Sequence, residues 1–124
     1  MNYKWIKWAD VQIASKDFTS TDVVQKADDI INEACQVTYD ELSGTYNLSK
    51  MVSNGIPDQV KRLAIYKARE FASIIYWGNA TTENNTAAAY WLNQFNTLLT
   101  SIKDGKVQVE GYERNHSFSK PTFY

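Results

Sequence analysis

Few residues in this chain of 124 could do chemistry. The one histidine, His116, stands among Asn115, Ser117 and Ser119. A general base must be held rigidly within hydrogen-bond reach of its target. That neighbourhood offers no rigid element, so His116 reads as a solvent or interface histidine. The one cysteine, Cys35, falls at a helical spacing among apolar residues, where a thiol is an inert core group rather than a nucleophile. It cannot form an internal disulfide, which favours a reducing compartment or a fold independent of oxidation. The carboxylates Asp22, Asp29, Glu33 and Asp40 are spaced by 7, 4 and 7 residues. On one continuous helix they would lie within about 40° of a single azimuth. No EF-hand spacing and no His/Cys ligand set accompanies them. Such a row is a solvated face or an electrostatic surface rather than a metal site. Lys67 lies inside an apolar arc near Leu63 and Ile74. It either snorkels its ammonium to water or pairs with an acid on a neighbouring helix or subunit. No glycine-rich phosphate loop, CxxC pair or HExxH occurs. The chain therefore reads as non-enzymatic, with no catalytic, cofactor-binding or metal-binding residues and no cofactor.

The elements that position these groups are helical. The first extends over about Thr21–Leu42, with Ser20 or Thr21 as N-cap. Val23, Val24, Ala27, Ile30, Ile31, Ala34 and Cys35 form its apolar face. The second and central one is Ile56–Gly78. Pro57 suits the first helical position, Asp58 complements the positive end of the helix dipole, and Gly78 suits a left-handed stop. Val60, Leu63, Ala64, Ala68, Phe71, Ala72 and Ile75, with Ile65 and Ile74, cover more than half of its circumference, so the rest of the chain must wrap it. The third begins near Thr82, with Asn85 or Thr86 as rival caps, and runs to about Asp104, closed by Gly105. Ala88, Trp91, Leu92, Phe95, Leu98, Leu99 and Ile102 form its apolar stripe. Its opposite face, Asn93, Asn96, Thr97 and Thr100, carries no charge and would tolerate contact with another protein.

Between and around these helices lie less periodic stretches. Residues 1–19, with Trp5, Ile6, Trp8, Val11 and Ile13, read as an extended lead-in or one short turn that docks its aromatics on the core or on a neighbour. In the connector 44–56, Tyr46, Leu48 and Met51 are expected to tuck under the bundle. Beyond the third helix, Val107 and Val109 alternate with polar residues in strand-like fashion. Tyr112, Phe118, Phe123 and Tyr124 follow with no helix of their own. The expected architecture is all-α, with three main helices in a small bundle, a short β element and extended N- and C-terminal arms. Its parts are an arm over 1–19, a helical domain over 20–105 and an arm over 106–124.

Composition narrows the functional classes. Hydrophobic residues make up 44% of the chain, enough for one core and too many for a disordered chain. No apolar run reaches the length of a membrane span, and the N-terminal residues lack the apolar core of a signal peptide. Residues 1–56 carry five bases and eight acids, net −3, whereas 57–105 and 106–124 each carry net +1. That distribution leaves no basic footprint for specific nucleic-acid binding.

The order of features resembles the tailed-bacteriophage head–tail connector (adaptor, head completion) proteins. ADVQIASKDFTSTDVVQKADDIINEAC looks like that family's polar run and first amphipathic helix. GTYNLS…GIP followed by QVKRLAIYKAREFAS is similar to its proline-started, alanine-rich second helix. AYWLNQFNTLLTSIKDGKVQVEG looks like its last helix and short strand. The likeness spans about residues 9–111. The resemblance implies a structural neck protein of the virion, made in the host cytoplasm, that forms a ring, commonly twelve-fold, on the portal protein. Such a ring bridges the portal to a tail-side neck or tail protein, lets DNA pass without specific binding and touches no membrane. In that setting Val107, Val109, Tyr112, Phe118, Phe123 and Tyr124 form a portal- or partner-binding arm. Asp22, Asp29, Glu33 and Asp40 become candidate channel-lining acids, since negative walls repel DNA. Asn93, Asn96, Thr97 and Thr100 become a candidate subunit interface. The other reading is a small cytoplasmic helical interaction module, regulator- or antitoxin-like, that binds one partner through its C-terminal tail.

Overall fold

The computed structural model describes residues 5–13, 16–49, 55–77, 85–107 and 109. It is mostly helical. Three short helices lead in, α1 (Trp8–Val11), α2 (Lys16–Thr19) and α3 (Thr21–Val24), followed by three long ones, α4 (Ala27–Leu42), α5 (Asp58–Tyr76) and α6 (Thr86–Lys103). The central α5 packs against all five of the others, as its wide apolar arc requires.

Two core clusters divide α5 along its length. The upper one sets Ala64, Ala68 and Ala72, all fully buried, against Ile30, Ile31, Ala34 and Cys35 of α4 and against Ile6, Val11, Phe18 and Val23 of the lead-in. Alanines spaced by four residues make one smooth stripe, so the lead-in and α4 can approach the α5 backbone closely. The lower cluster gathers Val60 and Leu63 of α5, Leu42 of α4, Phe95, Leu99 and Ile102 of α6, and Tyr46 and Leu48 of the connector. The expectation for Tyr46 and Leu48 therefore holds, while Met51 lies outside the described residues.

Several local expectations are corrected. The first helix is not continuous: Gln25 and Lys26 form a turn, with the Lys26 N–H donating to Val23 O at 3.0 Å instead of to residue 22. Both α2 and α3 pack on α5, which buries Phe18 and Val23. A straight helix through residue 25 would carry Val23 along the α4 axis instead of onto α5. The break leaves Val24 43% exposed. Pro57 is the N-cap of α5 rather than its first residue, with extended backbone at φ −64°, ψ 154°. Helix α5 ends at Tyr76, and Gly78 lies outside the described residues. The lead-in forms two short helices before α3 rather than an extended run, and docks Ile6, Val11 and Phe18 on the chain's own core.

The ends of α6 follow the local chemistry closely. Asn85 is the N-cap rather than Thr82: its Oδ1 accepts from Ala88 N at 3.1 Å, and its Nδ2 donates to Ser73 O at 3.0 Å, tying α6 to α5. At the other end Gly105 has φ 82°. Its N–H donates to Ile102 O, and the Lys106 N–H donates to Ser101 O, which is the paired closure of a Schellman motif. That closure turns the chain back, and no strand follows among the described residues. Val107 donates its N–H to Ser101 O and packs half-buried on the lower cluster, where Val109 is only 1% exposed. The alternation at 107–109 thus anchors two valines on the chain's own core; the expected short β element is not shown among the described residues.

Burial sets a measurable hierarchy. Leu63→Ala, at a fully buried site, should cost about 2–5 kcal/mol in urea denaturation. Phe71→Ala should cost less than Leu63→Ala despite the larger side chain, because the Phe71 ring is half-exposed and its removal opens a groove rather than a closed cavity.

Candidate interaction surface

The acids predicted to lie in one row do not share one helix. Asp22 sits on α3, and the turn at residues 25–26 separates it from Asp29, Glu33 and Asp40 on α4. The three on α4 remain within about 40° of one azimuth and are all exposed. Asp40 accepts from Gln36 Nε2 at 2.9 Å. Among the described residues no group of three or more His, Cys, Asp or Glu side chains is placed to hold a metal ion.

Two of the α4 acids, Asp29 and Glu33, border a cleft of about 240 Å³ between α4 and α5. Ile30, Phe71, Ile74 and Ile75 make its apolar floor, and Lys26, Asp29 and Glu33 stand at its rim. The three α5 side chains of the floor are only half-buried. They belong to the apolar arc that the rest of the chain wraps; here the wrapping stops short because α4 begins at Ala27 and the lead-in crosses α5 elsewhere. Helical periodicity marks these residues as apolar and says nothing of a neighbour that ends too early.

On α6 the face Asn93, Asn96, Thr97 and Thr100 is exposed along its whole length. Beside it Tyr90 is exposed and meets Trp91 edge-on at 4.8 Å, while Trp91 stacks on Tyr66 at 6.0 Å. Arg69 lies over the Trp91 ring at 4.7 Å. Its Nε donates to Val11 O at 2.8 Å and a terminal nitrogen donates to Asp10 O at 3.3 Å. Arg69 therefore fastens the lead-in to α5 and α6; partial burial lowers its pKa, and the nearby Tyr66 and Tyr90 oppose that shift. The sequence offers no signal for this contact, because the acceptors are backbone carbonyls nearly sixty residues away.

Lys67 follows neither reading drawn from the sequence. It does not snorkel, and the acid it pairs with is on its own helix. It is 8% exposed and pairs with Glu70, 5% exposed, on its own helix at 2.7 Å. Its ammonium lies 4.4 Å from the centre of the Phe95 ring of α6 and 5.8 Å from that of Phe71. The i,i+3 spacing of opposite charges was the available clue. The aromatic ring faces supply the remaining stabilisation of the cation. Cys35 is fully buried, and burial raises its thiol pKa above the ordinary value, with backbone hydrogen bonds from Trp5 and Ile6 opposing that shift. The thiolate needed for nucleophilic chemistry is thus disfavoured. His116, Tyr112, Phe118, Phe123 and Tyr124 lie outside the described residues.

The buried pair has an asymmetric signature in stability. Lys67→Met alone or Glu70→Gln alone should lower the unfolding free energy by about 3–5 kcal/mol, since each breaks a buried charge pair. Replacing both with apolar residues should cost markedly less than the two single changes added together, as read from a double-mutant cycle in denaturant.

No helix among the described residues is long and apolar enough to cross a membrane. Comparison of the chain with family models, with curated proteins and with solved structures returns no match.

Proposed function

We propose that this chain is a structural neck component of a tailed-phage virion, an adaptor that assembles as a ring on the portal and bridges it to the tail-side protein. The observation that carries the reading is the chemical difference between the outward faces of the two helices that flank α5. The α4 face is acidic, with Asp29, Glu33 and Asp40 in line; the α6 face is long, polar and uncharged. Closed head-to-tail packing needs two unlike surfaces on each copy. An uncharged polar helix face can be buried between copies without stranding an ion. A line of carboxylates suits the wall of a channel that DNA must pass without sticking, because like charge repels the phosphate backbone. Asp22, on a separate short helix, contributes to that wall independently of the α4 row. The arm begins after Val109, since Val107 and Val109 are anchored on the subunit itself. Tyr112, Phe118, Phe123 and Tyr124 remain to bind the portal.

Co-expression with the portal protein encoded in the same genome tests this directly. The full chain should co-purify with the portal ring in a fixed ratio. Phe123→Ala with Tyr124→Ala should weaken that association while moving the melting temperature by no more than about 2 °C, as this reading requires of an arm that serves the portal rather than the subunit's own core. No association with the portal, or association with an unrelated cytoplasmic protein in its place, would overturn the adaptor reading.

A further inference from the structure

The cleft between α4 and α5 suits a side chain that is apolar along its body and polar at its tip. Ile30, Phe71, Ile74 and Ile75 make the floor, and Asp29 and Glu33 against Lys26 leave the rim net negative. We infer that its occupant is Tyr90 of a second copy of this chain, seated on the floor in a head-to-tail contact between unlike faces. The contact rests on the reading of the α6 face as a surface between copies, and names what that face meets. Among the described residues four large apolar side chains stand exposed: Ile13, Val24, Trp77 and Tyr90. Val24 lies two residues before Lys26 and Trp77 three residues after Ile74, so in the chain both adjoin residues of the receiving surface. Ile13 brings no polar group to a charged rim. Tyr90 is 54% exposed and stands on α6, about 150° around the helix from the buried line of Phe95, Leu99 and Ile102 that faces α5. It therefore points away from its own chain's core and towards a neighbour.

The chemistry of the two surfaces is complementary. A tyrosine ring buries an apolar body on the floor while its hydroxyl donates to a carboxylate of the rim. From Thr86 to Ile102 α6 holds no charged residue, so it brings no acid against Asp29 or Glu33. The charge beside the ring is positive: Arg69 lies over the adjacent Trp91 at 4.7 Å. Opposed potentials of this kind orient two surfaces and exclude wrong registers. The ring is also held before it docks. Tyr90 meets Trp91 edge-on at 4.8 Å, and Trp91 stacks on Tyr66 at 6.0 Å, so little side-chain freedom is left to lose on association. A rigid aromatic of this type carries most of the free energy of a small contact. Asn93 and Thr97, exposed on the same stripe of α6, follow Tyr90 onto the neighbour without stranding an ion. The ring and the cleft belong to different elements, so every copy offers both and the contact can repeat from one copy to the next. Asp29 and Glu33 are exposed at the rim rather than on the floor, which keeps their charge at the edge of the contact.

Mixed full-length chains, each with one added cysteine, test it. One chain carries Lys26→Cys on the rim. The other carries Thr86→Cys or Asn93→Cys, which flank Tyr90 by one turn on either side, so that one of them meets the rim whichever way the helices cross. Buried Cys35 does not compete. Under mild oxidation of an equal mixture, one of the two combinations should give the mixed disulfide in about tenfold excess or more over either homodimer. Tyr90→Ala in the α6 chain should return the products to the ratio of random collision, and Asp29→Lys with Glu33→Lys in the cleft chain should reduce the excess. All three changes are at exposed positions, so the fold is kept. Random product ratios for both combinations would overturn the inference, and so would an excess that survives Tyr90→Ala. Homodimers in excess would also overturn it, by showing like faces in contact. No portal is present in this experiment, so its failure is distinct from a failure to bind the portal.

Discussion

Everything in this fold is arranged around the burial of α5. Among the described helices it is the one that touches all the others, and its two faces ask for different neighbours. Ala64, Ala68 and Ala72 present a low stripe on which α4 and the three short leading helices can lie close. Val60 and Leu63 present bulk that α6 and the connector must fill around. The short helices follow from this demand. Phe18 and Val23 reach α5 only because the chain turns at Gln25 and Lys26, and that turn costs the continuity of the first long helix. Arg69, on the rim of the same helix, closes the arrangement by holding the carbonyls of Asp10 and Val11.

The ion pair of Lys67 and Glu70 works against cheap burial. Desolvating two charges is costly, and their attraction repays it only with good geometry. Here the 2.7 Å contact and the Phe95 ring over the ammonium supply that geometry. A charge pair that fits one arrangement of α5 against α6 also penalises others. A sliding or rotated α6 would move Phe95 away and leave the cation with less compensation. The second tie between the same helices, Asn85 bridging Ser73 and Ala88, fixes the other end of the register.

What the sequence disclosed was local. Caps, stops and apolar periodicity located α4, α5 and α6, and Gly105 marked the end of α6 because only a residue tolerant of positive φ suits that closure. Tertiary demands were invisible. Neither Gln25 nor Lys26 is a helix breaker, so the interruption that removes Asp22 from the acidic row carries no local mark. Lys67 was conspicuous, yet its partner was sought on another element because a charge within an apolar arc suggests an external counter-ion. Val107 and Val109 land on the chain's own core, which their alternation does not disclose, since period two states which side chains share a face and not what that face meets. The open cleft arises where α4 is too short to cover Phe71, Ile74 and Ile75, a fact of relative placement that no single segment encodes.

Function enters through what α5 leaves outside. With the apolar surface largely consumed by the core, the α4 flank keeps its acids and the α6 flank keeps its amides and hydroxyls. One flank suits repulsion of a polyanion, the other suits contact with a neighbour. The measurement that tests the proposed adaptor role most directly is a cryo-EM reconstruction of the chain mixed with the portal protein encoded beside it. The expected map is a closed ring in which Asp29, Glu33 and Asp40 face the channel and the Asn93–Thr100 face of α6 lies between copies. Those carboxylates on the outer rim, or no ring at all on the portal, would contradict it.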